Sequence, residues 1–104
     1  MGGSGLGGYT PPAPSSPCSR LSFQATLNSP QATVLAQLQI GSVLDVGLDS
    51  SGNSVEVHFN SQLAGALTGT KVAQLINCLN SGFVFRAVVV TLNGGQCVLR
   101  VEAV

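Results

Sequence analysis

The chain has 104 residues, of which only 8% are charged, four of each sign, so its formal net charge is zero. Its fixed cations are Arg20, Lys71, Arg86 and Arg100, too few for the counterion release that drives strong nucleic-acid binding. That length accommodates one small domain. A 44% hydrophobic chain with so little self-repulsion points to a homo-oligomer or an unknown protein partner.

Residues 1–17 are dominated by Gly, Ser and Pro, a composition that cannot bury enough apolar surface to offset ordering entropy. This predicts a flexible tail, with residues 18–104 forming a single small domain. TPPAPSSP has PxxP spacing but no adjacent Lys or Arg to orient an SH3-type contact, so it reads as a spacer. The N-terminal stretch lacks the basic region and apolar core of a signal peptide, and FVFRAVVVTL is too short to span a bilayer. The expectation is therefore a cytoplasmic protein without membrane association. Three widely spaced cysteines, Cys18, Cys78 and Cys97, fit reduced thiols better than a disulfide framework.

In RLSFQATL, Leu21, Phe23, Ala25 and Leu27 alternate with polar residues, which predicts a strand with one buried face. Asn28, Ser29 and Pro30 end it, and Val34 to Ile40 fits either a short strand or a helical turn. Leu44, Val46 and Leu48, then Val55, Val57 and Phe59, alternate on either side of DSSGNS, predicting a hairpin. Leu63 to Leu67, with Gly65 at its centre, suits an edge strand or a close backbone crossing. Thr68 or Thr70 is placed to cap a helix whose stripe is Val72, Leu75, Ile76 and Leu79, and Gly82 ends it. FVFRAVVVTL and QCVLRVEAV then pair through Asn93, Gly94 and Gly95. The fold class is mainly β: a small, partly open OB-like or SH3-like barrel of about six strands, with one short helix over about residues 70–81.

The segments LAQLQIGSVLDV, VEVHF, LAGAL, KVAQLINCLNSG, FRAVVV and the GG hairpin follow one another as in a HIRAN domain, which the chain resembles over residues 34–104. HIRAN domains are OB-like modules found in fork-remodelling helicases and alone in bacteria. The resemblance implies an OB-like fold and weak, end-selective binding of single-stranded DNA. Onto the loop where such domains carry an acidic, proline-rich and aromatic segment, only Asp49 and Asn53 carry over, because DSSGNS has neither proline nor aromatic.

His58, the sole histidine, shares a strand face with Glu56, a spacing that fits a solvated hairpin face. Cys78 and Cys97 fall at apolar positions, and no CxxC pair or other zinc spacing occurs, so no metal or other cofactor is expected. Phe23 and Phe59 fall on apolar faces. Both faces of the strand carrying Phe83 and Phe85 are largely apolar, as in a central strand or one whose outer face meets another chain. Arg86 and Arg100, on neighbouring strands with Glu102 close by, form a surface charge pair or a small anion-contacting patch. With no nucleophile elbow, cysteine-protease signature or P-loop, the residues point to a non-catalytic binding module, a protein adaptor or self-associating domain. The binding candidates are Arg86, Arg100, Asp49, Asn53 and His58.

Overall fold

The computed structural model describes residues 17–104, and the predicted tail lies, but for Pro17, outside the described residues. In chain order the elements are α1 (Pro17–Arg20), β1 (Ser22–Asn28), α2 (Ala32–Leu35), β2 (Val43–Leu48), β3 (Val55–Phe59), β4 (Gln62–Leu67), α3 (Val72–Asn80), β5 (Phe85–Asn93) and β6 (Gln96–Ala103). The six strands form a closed antiparallel barrel in the order β1-β4-β3-β2-β5-β6, with β6 returning to β1. The small β-barrel read from the sequence is therefore present, and its circuit is closed. Two further short helices accompany the predicted one. α2 covers only Val34 and Leu35 of the stretch, Val34 to Ile40, where strand and helical turn competed, and α1 forms where no element was expected.

Alternation builds the core. Leu27, Leu44, Val55, Val57, Leu67, Phe85, Ala87, Val89, Leu99 and Val101 are all buried, and no polar or charged residue among those described is buried with them. α3 closes the end where β5 begins: Leu75 and Cys78 are buried, and Val72, Ile76 and Leu79 pack against the core at partial exposure. The helix ends as its glycine predicts. Gly82, at φ 94°, donates to the Leu79 carbonyl while the Phe83 amide reaches back to Cys78, a paired closure of orphan carbonyls. Its start differs from expectation: Lys71 is the N-cap and no side chain, of Thr68, Thr70 or any other residue, caps it. Beside the tip of the β5–β6 hairpin, α2 and the residues after it send in Val34 and Leu38, so the barrel has an apolar plug there too.

Two tight turns fix register. Asn93 faces Gln96 across Gly94 and Gly95, whose φ values of 57° and 90° match the primed turn that a twisted hairpin prefers. Between Val89 and Thr91 the register shifts by one, leaving Val90 as a bulge. Gly65 meets the other expectation, a close crossing. A Cβ there would sit 2.7 Å from the Asn28 carbonyl oxygen and 2.9 Å from Leu27 side-chain atoms. Only glycine lets β1 approach β4.

The expectation of three reduced thiols is overturned for two of them. Cys18 and Cys78 form a disulfide, their Cα atoms 5.5 Å apart and 60 residues apart in sequence. Spacing alone cannot show that α1 folds back onto α3. Cys97 remains a free, fully buried thiol. No helix among the described residues is long and apolar enough to cross a membrane.

Candidate binding face

Cross-strand register assembles the charged residues on the outside of the barrel. His58 faces Asp45, Asp45 faces Arg86, Arg86 faces Glu102, and Glu102 faces Ser22, one row of outward side chains crossing β3, β2, β5, β6 and β1. The adjacent row runs Val43, Val88, Arg100 and Gln24. The bulge decides this alignment. Pairing counted regularly from Asn93 and Gln96 would put Arg86 opposite Ala103. With Val90 looped out, it meets Glu102.

Glu102 is the centre of a three-residue cluster. Arg86 donates through Nε to Glu102 Oε2 at 2.9 Å and brings Nη2 to 2.8 Å of the same oxygen. Arg100 donates through Nε to Oε1 at 3.1 Å. The hydrogen bond from Arg86, then that from Arg100, hold the Glu102 carboxyl below its usual range. Both arginines stay about half exposed, at 48% and 45%. One carboxylate serving two guanidiniums leaves the cluster with a surplus positive charge and unused Arg100 donors. His58 Nε2 lies 3.9 Å from Glu56 Oε1, as the strand spacing suggested.

Apolar side chains flank this row. Val84 is 64% exposed and hydrogen-bonded through its carbonyl to the Val104 amide; Val104 is exposed as well. Beyond Arg86, Val43 faces Val88 at 53% exposure, and Ile40 stands out before β2. The outer side of the chain entering β5 thus reads Val84, Arg86, Val88.

The predicted site residues divide accordingly. Arg86, Arg100 and His58 lie on this outer belt, with Asp45 and Glu102 between them. Asp49 and Asn53 belong to the loop after β2. There the Asp49 carboxylate accepts from Ser51 Oγ at 2.8 Å and from the Ser54 amide at 3.3 Å, and the Asn53 amide donates to Ser51 Oγ. The Ser51 hydrogen bond is the main reason that the Asp49 carboxyl titrates lower than usual, so this residue ties its own loop. Sequence reasoning assigned no role to Asp45. Its signal was the register of the β2–β3 hairpin, which places it opposite His58.

No thiol joins the belt, since Cys97 is inside the barrel, where burial pushes its pKa up. No group of three or more His, Cys, Asp or Glu that suits a metal occurs among the described residues. A shallow groove of about 340 Å³ lies between α2 and the β5–β6 turn, lined by residues such as Leu35, Leu92 and Gly94 and by no charged side chain.

No family model matches this chain, and no curated protein matches it. Its fold is similar to that of a crystal structure of a Lactobacillus plantarum protein from a structural genomics programme. The TM-score is 0.68 at 12% identity, covering 80% of this chain and 95% of that one. At that identity the likeness defines the class of the fold, a small closed β-barrel, and nothing finer.

Proposed function

We propose that this domain is a non-catalytic interaction module, a protein adaptor or self-associating domain that docks through the outer face of β5 and its neighbours. The observation that carries this reading is the pattern Val84, Arg86, Val88 along β5 and the residue just before it. Exposed Val43 and Val104 stand on either side, and Glu102 partly neutralises the two arginines. Aliphatic groups around a partly satisfied arginine match the make-up of an interface core, which favours Arg and avoids unpaired acids. The disulfide supports residence in an oxidising compartment, against the cytoplasmic expectation drawn from the sequence.

Sedimentation velocity over a wide concentration range, with cross-linking to any co-purifying protein, tests this directly. The expected result is association that a Val43→Asp/Val84→Asp double variant weakens while its circular dichroism stays unchanged. A strictly monomeric protein whose cross-linked partners are the same for both forms refutes the reading. The alternative suggested by the HIRAN resemblance, binding of single-stranded DNA ends, has Arg86 and Arg100 in its favour. Among the described residues it lacks exposed stacking rings: Phe85 is buried, and Phe23, Phe59 and Phe83 are half-buried against the core. Low-salt anisotropy with labelled oligonucleotides, lost in Arg86→Ala, would favour it over protein docking.

A further inference from the structure

β1 is paired along Ser22 to Thr26 with β6, but with β4 only through Leu27 and Asn28. Among the described residues no other backbone hydrogen bond reaches Ser22–Thr26 from the β4 side. In an antiparallel ladder successive residues turn their N–H and C=O to opposite edges, so every second residue of this stretch presents both groups to the gap. Past Leu67 the chain leaves β1 and runs through Thr68 to Lys71 into α3. The result is a slit rather than a seam, bounded at one end by the Leu27–Leu67 pairing and at the other by the Cys18–Cys78 bridge.

A pocket of about 160 Å³ opens in this slit, with Phe23 and Ala25 on the β1 side and Thr68, Thr70 and Lys71 opposite. A dry cavity of about 150 Å³ holds a benzene-sized group, so the pocket itself takes one side chain, and a backbone paired with β1 would lie along its mouth. Lys71 makes no ion pair among the described residues. The α3 start behind it has no acidic residue and no side-chain cap. Free strand edge, side-chain pocket and unmatched positive charge therefore adjoin one another. Nor is the edge protected by the usual means, since Ser22, Gln24 and Thr26, its outward side chains, are all uncharged.

We infer that this slit accepts an extended acidic segment of another protein. The segment adds along the free edge of β1 and sends one glutamate or aspartate into the pocket. The methylenes of that side chain lie over Phe23 and Ala25, and its carboxylate meets Lys71 and the first amides of α3. This surface is separate from the outer face of β5, so the two can fail independently.

The test titrates the full-length, oxidised protein with acetylated, amidated pentapeptides of sequence Thr-Val-Glu-Val-Thr and Thr-Val-Lys-Val-Thr. Amide chemical shifts and hydrogen exchange are followed by NMR. The glutamate peptide is expected to shift and protect alternate amides of Ser22–Thr26 and to move those of Thr70 to Ala73. It should bind about threefold more tightly than the lysine peptide, the size of an exposed ion pair. Lys71→Glu should reverse that preference, and N-methylation of alternate peptide bonds should abolish binding without altering charge. Equal binding of both peptides, or shifts that spare β1, overturns the proposal. So does protection of the β1 edge without peptide. Protection that grows with protein concentration assigns the edge to a second copy, and concentration-independent protection assigns it to residues 1–16.

Discussion

Along its β6 edge β1 is paired from Ser22 to Thr26, whereas along its β4 edge the barrel closes through two residues and a disulfide flanking an opening. The β6 edge is also long-range, since Ser22 faces Glu102 and Thr26 faces Val98, but five consecutive pairs hold it and the β5–β6 hairpin braces β6 from its other side. The β4 edge joins segments about forty residues apart. It depends on a residue with no side chain at one end and a covalent bond at the other. Repeated small contributions make the first edge stable; the second stands or falls on single residues. An opening at that edge is the consequence, and there a ligand can reach both backbone and core side chains.

Breaking the covalent end is expected to have the largest effect. Opening a disulfide-closed loop of this size, by reduction or by Cys18→Ser with Cys78→Ser, should lower the unfolding free energy by about 4 kcal/mol on the chain-entropy model. Urea denaturation with and without reductant measures it, and reduction should also detach α1 from α3, seen as new exchange at Leu75 and Cys78. Next is the backbone end. Gly65→Ala pushes a methyl into the Asn28 carbonyl, an atom that cannot rotate away, and should cost about 2–3 kcal/mol. A matching change on the other edge, Val98→Ala at a half-buried outward position, should stay within about 1 kcal/mol. If Gly65→Ala proved as mild as Val98→Ala, the two edges would not differ as argued.

What was legible in the sequence follows the same division. Local signals located every strand: alternation gave Leu44–Val46–Leu48 and Val55–Val57, and Asn93–Gly94–Gly95 gave the last hairpin. Gly82 ended α3 as glycine chemistry requires. Gly65 stood out as a close crossing, although the sequence did not say which strand crosses there. Three features were not legible, and each depends on long-range geometry. The bond between Cys18 and Cys78 needs α1, which four residues form only where β1 and α3 bring it. The Val90 bulge sits in a run of valines with no glycine or turn residue to mark it, and it alone decides whether Arg86 meets Glu102. The cap of α3 went to Lys71 instead of a threonine, since Gly69, at φ 136°, turns the chain before the helix begins. Of the candidate site, the hairpin brought Arg86, Arg100 and Glu102 into one neighbourhood, but regular counting from its turn puts the two arginines on opposite faces, so their shared face rests on the Val90 bulge. The grouping with Asp45 and His58 required the strand order, and the same counting could not show that the Asp49 loop closes on itself.

The smallest expected effect concerns charge on the well-paired edge. Glu102 is held below its usual pKa in the folded state by Arg86 and Arg100, so the unfolded chain takes up its proton more readily than the folded one. Its contribution is therefore present above the ordinary carboxylate value of 4.5 and is lost as pH falls through the lower folded value. The cluster is exposed to solvent, so the change is small and shrinks with added salt. Melting temperatures followed from pH 6 to pH 2.5 should fall less steeply for Glu102→Gln than for the wild type at low ionic strength, and the two curves should converge in high salt. The same substitution should leave unchanged the pH dependence of exchange in the Leu27–Leu67 and Asn28–Ala66 pairing, on the opposite edge of β1. A parallel loss of protection there would mean that the two edges of β1 open together, and the slit would then be a consequence of barrel fraying instead of a built opening.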